Sequence, residues 1–448
     1  MQRLMLDQLL AWKDQPTRKP LLIDGARQTG KTYLLKTLLG DAFKRVLNID
    51  LLATPAMADA FADALTPETV IANLELLTGQ AFNPQTDLLI LDEIGECPRA
   101  VTALKYFAEQ TPRHHIAASG SNIGLLQAFP VGKVQAHNLR PLTFREFLTA
   151  SSEHALINAF NRQANSAAAH GKLFDQLTDY YFTGGMPEAV RTWFELAEHP
   201  KIQRVQAVTA IHRDLIAGYS RDFGKYAGKT DDALIEAVFR NVPAQLSTVQ
   251  DGSVKRFKFK GVHPRKSRYA EFESAITWLE KSRLVLKNHP IEGMPRNPLA
   301  AYKKDNQVKL FLFDVGLLNH MLGVGYPAIK QQSYQYKGYI AENFVQQEFA
   351  AQGLDPTYSW HDARAEIEFI IADTAGDILP IEVKSGSRTR AKSLQSYIAK
   401  CKPHKTIKLT GTQGSSPLER RHIVLPIYYC ELVAMELLEK QNISPDLN

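Results

Sequence analysis

Gly25-Ala26-Arg27-Gln28-Thr29-Gly30-Lys31-Thr32 decides the fold, because it matches the phosphate-binding loop G-x-x-x-x-G-K-[ST]. Before it, Leu21-Leu22-Ile23 is a short apolar run that predicts a buried strand. After it, Tyr33–Leu39 carries leucines at helical spacing, with Gly40 as the expected C-cap. A strand, a glycine loop and a helix in that order aim successive N–H groups and a positive helix end at one point, which suits the β-phosphate of a nucleotide. On this reading Gly25, Ala26, Arg27, Gln28, Thr29 and Gly30 wrap the phosphates. Lys31 reaches the β- and γ-phosphates, and the Thr32 hydroxyl ligates Mg²⁺.

Working outward, Asp87-Leu88-Leu89-Ile90-Leu91-Asp92-Glu93 is an apolar run ending in two carboxylates, the form of a Walker B strand. Asp92 is expected to hold the Mg²⁺ and Glu93 to orient and deprotonate the attacking water. Such a run also occurs at ordinary strand ends; its position 62 residues after Lys31 makes the pair specific. A third apolar segment, His115–Ala118, ends in Ser119-Gly120-Ser121-Asn122. Ser119 and Asn122 are placed to sense a γ-phosphate, a plain polar strand end being the alternative.

The chain has 448 residues, enough for two or three domains with their own cores. Hydrophobic residues make up 44% and charged residues 22%, ordinary values for globular protein. No apolar run reaches transmembrane length, and Met1-Gln2-Arg3-Leu4 lacks a signal-peptide pattern, so no membrane partner is expected. Cys97, Cys401 and Cys430 are scattered, which argues against a disulfide framework or zinc site and for a cytoplasmic location.

The net charge is only +6, but it is unevenly placed. Gly252–Ala270 holds seven Lys or Arg (Lys255, Arg256, Lys258, Lys260, Arg265, Lys266, Arg268) and no acid, interleaved with Phe257, Phe259 and Tyr269. Tyr269–Leu284 then shows helical spacing, followed by Val285-Leu286-Lys287 as a strand. After a start at Pro243–Ser247 this order reads as a winged helix over about 240–295, contacting DNA phosphates. A solvated basic loop between two helices is the equal alternative. Val383–Leu418 is a second acid-free stretch, with eight Lys or Arg.

A second constellation precedes that stretch. Leu379–Ser385 alternates so that Glu382 and Lys384 share one strand face, and Ala365–Ile371 does the same for Glu366 and Glu368. Tyr339–Val345 opens an amphipathic helix carrying Glu342. An acid on a helix, an acid on a strand, then E-x-K on the next strand is the order of PD-(D/E)xK nucleases. Glu342, Glu368 and Glu382 are the expected Mg²⁺ ligands, and Lys384 orients or activates a water. An exposed strand face laced with ion pairs is the alternative.

Together with Leu139–Phe147 and Tyr181–Glu188, these segments resemble prokaryotic AAA-type ATPases fused to a C-terminal domain of unknown function with a restriction-nuclease-like core. The resemblance covers most of the chain. It implies an α/β fold with a P-loop AAA+ ATPase domain at 1–150 and a mostly helical region, with a winged-helix-like part, at 151–330. A restriction-endonuclease-like α/β domain follows at 331–448. It implies ATP and Mg²⁺ as cofactors, Arg140 or Arg145 as a residue meeting the γ-phosphate, and assembly into a homo-oligomer. Gly184-Gly185 reads as a tight turn between helices, Asn161–His170 as a surface connection, and the polar tail from Gln441 as frayed. The family has Asp where this chain has Glu368, which puts cleavage in question. Two functions stay open: an ATPase coupled to DNA binding or cleavage, and an ATP-controlled binding switch whose nuclease-like domain does not cut.

Overall fold

The computed structural model describes residues 1–125, 129–226, 232–248, 256–331, 337–362, 365–373, 375–385, 392–414 and 420–442. The Lys255 end of the first basic stretch, parts of the second, and residues 443–448 of the tail lie outside these. The chain forms two compact units, Met1–Arg140 with Lys281–Arg283, and Pro141–Glu280 with Leu284–Asn448.

The first unit is built on strands β1 (Leu21–Asp24), β2 (Arg45–Asp50), β3 (Asp87–Asp92), β4 (His115–Gly120) and β5 (Gln135–Asn138). Their order is β2-β3-β4-β1-β5, and every neighbouring pair is parallel. β3 and β4 are buried along their whole length, which is why they read as continuous apolar runs. One face packs Leu89, Leu91, Ile116 and Ala118 against the helices Pro67–Thr78 and Pro98–Gln110. The other packs Leu88, Ile90 and Ala117 against Leu9, Trp12 and Leu34. Each large aliphatic side chain buried this way contributes about 1.5–3 kcal/mol. Because β4 lies between β1 and β3, the ends of all three strands meet at one edge.

The second unit places helices, among them Ala167–Thr183, Pro187–Glu195, Lys201–Tyr226 and Asp232–Ser247, beside a mixed sheet. Its strands are β6 (Val285–Glu292), β7 (Lys309–Leu312), β8 (Thr357–Asp362), β9 (Ala365–Ala372), β10 (Ile378–Lys384), β11 (Thr406–Thr410) and β12 (His422–Pro426). The order is β12-β11-β10-β9-β8-β6-β7. β8, β9 and β10 run as an antiparallel meander, and β11 lies parallel to β10. The helix Lys337–Ala351 precedes the meander, and the helix Lys392–Cys401 links β10 to β11.

Several local expectations change. Pro243–Ser247 is the end of the helix Asp232–Ser247, not a start. Helix and strand follow at Glu273–Lys281 and β6, but β6 lies between β7 and β8 inside the large sheet instead of forming a separate wing. Its side chains are nearly all buried, as in a strand with both faces covered. The sheet therefore draws two strands from before residue 331. Ala167–His170 is helical, with Ser166 accepting from the Ala169 N–H as the N-cap. Gly40 does not cap its helix in the left-handed conformation. Its φ is −58° and the chain continues as a 3₁₀ turn; a Cβ there would sit 2.9 Å from Val46. Close packing is what requires glycine at that position. Among the described residues, no helix is long and apolar enough to cross a membrane.

Candidate functional site

In the first unit the loop 25–32 leaves the end of β1 and turns into the helix beginning at Lys31. Its two glycines serve different ends. Gly30 has φ +90°, which favours glycine, whereas a Cβ on Gly25 would stand 2.4 Å from the Leu139 carbonyl oxygen. Gln28 also adopts positive φ, +64°. Lys31 is buried and donates to the Gly25 and Ala26 carbonyls, both at 3.0 Å. Burial lowers its pKa, opposed by Glu93, Asp24 and Asp92.

β3 and β4 bring the downstream residues to the same edge. Thr32 Oγ1 donates to Asp92 Oδ2 at 2.8 Å, and Ser119 Oγ donates to Asp92 Oδ1. Glu93 follows in the left-handed region (φ 48°, ψ 46°), and its Oε2 accepts from Ser121 N and Oγ, both at 3.3 Å. Asn122 has φ +66°, and its carbonyl accepts from Leu125 N. Non-glycine residues in this region cost about 1–3 kcal/mol each and cluster at functional sites.

Two residues here left no sequence signal. Arg3, before the first helix, donates to the Thr29 carbonyl at 2.8 Å and to the Arg140 carbonyl at 2.7 Å, bracing the loop. Arg283 pairs with Asp24, the last residue of β1, at 2.8 Å. They lie far from the motif in sequence, so no local spacing exposes them. Arg140 is buried in the first unit. Arg145 is in the second unit, where it pairs with the buried Glu431 at 3.2 Å and lies over the Phe160 ring. The Arg145 side chain is itself part-exposed.

In the second unit, Glu342, Glu366, Glu368, Glu382 and Lys384 form one cluster with a residue the motif does not contain, Lys309 on β7. Lys309 Nζ is 2.8 Å from Glu342 and 3.3 Å from Glu366. Lys384 Nζ is 3.2 Å from Glu368 and 3.0 Å from Glu382. Glu368 Oε2 also accepts from the Val383 N–H at 3.0 Å. Burial pushes the Glu368 carboxyl up to about 7, although Lys384 opposes this. For Lys309, burial acts downward, but Glu342 and Glu366 outweigh it and hold the ammonium above the ordinary lysine value.

Among the described residues, Glu342, Glu368 and Glu382 do not offer three donor atoms within 4.8 Å of one another. Among the described residues, the group with three donor atoms within 4.8 Å is Asp373, Asp377 and His404. There the two ring nitrogens face different carboxylates, Nε2 toward Asp373 (3.5 Å) and Nδ1 toward Asp377 (3.4 Å).

Residues 17–148 match an AAA domain family. The N-terminal part of the chain resembles a P-loop ATPase domain. Downstream of it, residues 174–328 match a domain of unknown function, DUF8612, and residues 337–430 match another, DUF4143. Among solved structures, the chain is similar to the Walker-type ATPase PABY2304 of Pyrococcus abyssi, at 11% identity over 71% of this chain and 94% of that one, with a TM-score of 0.43. It is also similar to Drosophila ORC bound to DNA (13% identity, 71% and 84% covered, TM-score 0.28). A third similarity is to AMPPCP-bound DnaA from Aquifex aeolicus (14% identity, 62% and 86% covered, TM-score 0.28). No curated protein matches the sequence.

Proposed function

We propose that the chain hydrolyses Mg-ATP in its first unit and uses that cycle to control nucleic-acid binding by its second. The observation that carries the first half is the Thr32–Asp92 hydrogen bond at the mouth of the phosphate loop. It sets two oxygen donors side by side, as a hard divalent cation requires. Gly25 to Thr32 bind the triphosphate, with Lys31 transferring its hydrogen bonds from loop carbonyls to phosphate oxygens. Bound Mg²⁺ supplies charge neutralisation on those oxygens. Asp92 and Thr32 orient the cation, Ser119 steadies Asp92, and Glu93 takes the proton of the attacking water. Arg140 and Asn122 complete the nucleotide pocket in this reading.

For the second half, the helix–β8–β9–β10–helix–β11 order supports a restriction-nuclease-like core within 331–448, extended by β6 and β7 and following a helical region at 151–330. The exposed Lys258, Lys260, Arg265 and Arg268 supply phosphate contacts, DNA being the expected ligand. Cleavage is the second reading, favoured by Glu382 and Lys384 side by side on β10. The test is ATP turnover with and without duplex DNA, for wild type and Lys31→Ala. DNA-stimulated turnover absent from the variant supports the reading; turnover indifferent to DNA sinks the coupling.

A further inference from the structure

Three lysines surround the carboxylates, Lys408 on β11 standing in register with Glu382 and feeling its charge, but Lys309 and Lys384 differ in a way that sets how many divalent ions the cluster can hold. Lys384 sits at the end of β10 and is part-exposed, so its ammonium can swing toward solvent. Between its two partners lies an incomplete site: Glu382 is fully buried, its Oε1 faces Lys384, and its Oε2 has no hydrogen-bond partner among the described residues. A buried carboxylate oxygen with no donor beside a second carboxylate, Glu368, suits a cation.

Lys309 is different. Its side chain is only 3% exposed. Buried ammonium ions persist only when paired and hydrogen-bonded, and Glu342 and Glu366 are the partners here. An ammonium and a divalent ion seek the same oxygens and repel one another across a few ångströms. Lys309 also comes from β7, a strand outside the helix–β8–β9–β10–helix–β11 core, so the core topology does not demand it.

We propose that Lys309 is a built-in counter-cation that commits Glu342 and Glu366, so that the cluster takes a single divalent ion, held by Glu368 and Glu382. This rests on reading the cluster as a nuclease-like centre. Lys309 is a positioning residue: it touches neither substrate nor ion, and it keeps a second ion out. The protein then depends on one ion, with a fixed ammonium where a two-ion centre places its second charge.

The experiment is titration of the nucleotide-free, full-length protein with Mn²⁺, free Mn²⁺ being read by electron paramagnetic resonance. Each protein is compared with the same protein carrying both Glu342→Gln and Glu382→Ala, so that ions bound outside the cluster cancel. Wild type is expected to bind one ion more than Glu382→Ala. Glu342→Gln is expected to leave the number of ions unchanged and their affinity within about 10-fold, whereas loss of a true ligand or its support costs about 10- to 100-fold. Lys309→Met is expected to bind two, and its melting temperature to rise more with Mn²⁺ than that of wild type. Two ions in wild type, one in Lys309→Met, or a weakening of about 10-fold or more in Glu342→Gln overturns the proposal. Equal binding by wild type and Glu382→Ala instead overturns the nuclease-like reading beneath it. If Lys309→Met does not fold, Glu342→Gln decides alone.

Discussion

Glu93 shows what a single position contributes. Its backbone lies in the left-handed region, and Ser121 holds its carboxylate through two hydrogen bonds. Replacement by Gln keeps the size and the hydrogen-bonding capacity but removes the base. Turnover of Glu93→Gln is expected to fall by about 10²–10⁴-fold, with ATP affinity unchanged. Steady-state hydrolysis beside titration of a fluorescent ATP analogue checks both. At this scale the phosphate loop was legible because its chemistry fixes residue type and spacing together. The arginines were not. Arg145 occupies a motif position, yet its guanidinium meets Glu431, 286 residues later in the chain, a contact no local pattern encodes.

Gly184 and Gly185, between the helices Ala167–Thr183 and Pro187–Glu195, show how elements are joined. The sequence reading of a tight turn captures Gly184, whose φ is +68°. It misses the close approaches: a Cβ on Gly184 would lie 2.2 Å from Asp314 Oδ1, and one on Gly185 would lie 2.1 Å from the Leu142 carbonyl oxygen. Asp314 accepts from the Gly185 and Leu317 N–H groups, so the turn is pinned to the N-cap of the helix Val315–Met321. Gly184→Ala is therefore expected to cost at least about 1–3 kcal/mol from its φ alone, read as a lower urea midpoint.

A second joint is His212 on the helix Lys201–Tyr226, which is buried and donates through Nε2 to the Thr183 carbonyl. Burial pushes its pKa down to about 4, against the ordinary 6.5. The folded state thus binds fewer protons than the unfolded chain between those values. The stability this group contributes is present above pH 6.5 and is lost as pH falls toward 4, about 3 kcal/mol in all. His212→Gln does not titrate, so its stability gap from wild type is expected to narrow over that window. Urea unfolding at several pH values measures it.

For the whole molecule, the exposed basic residues after the helix Asp232–Ser247 govern the nucleic-acid prediction. Replacing Lys258, Lys260 and Arg265 together with Ser is expected to weaken DNA binding and to lower the salt dependence of log affinity by up to about 0.9 per residue. ATP turnover without DNA is expected to be unchanged. Fluorescence anisotropy across a salt series checks the slope; a slope equal to that of wild type would remove this stretch from the interface. The sheet of the second unit was only partly readable. β9 and β10 follow from alternation and charge placement, and Val285–Lys287 reads as a strand, whereas β8 and β11 left no such signal and β6 and β7 join the sheet through pairings over long sequence separations.

The sequence by itself determined the phosphate loop, the carboxylates at the end of β3 and the strand–strand order of the second acidic constellation. Each is a short-range pattern in which residue spacing and backbone period carry the information. Tertiary structure alone decided that Arg3 braces the loop, that Arg145 pairs with Glu431, that β6 belongs to a seven-stranded sheet, and that Lys309 stands among the glutamates. Those outcomes depend on burial. A charged group removed from water must find its counter-charge wherever the fold brings one, and the chain does not write that distance into neighbouring residues.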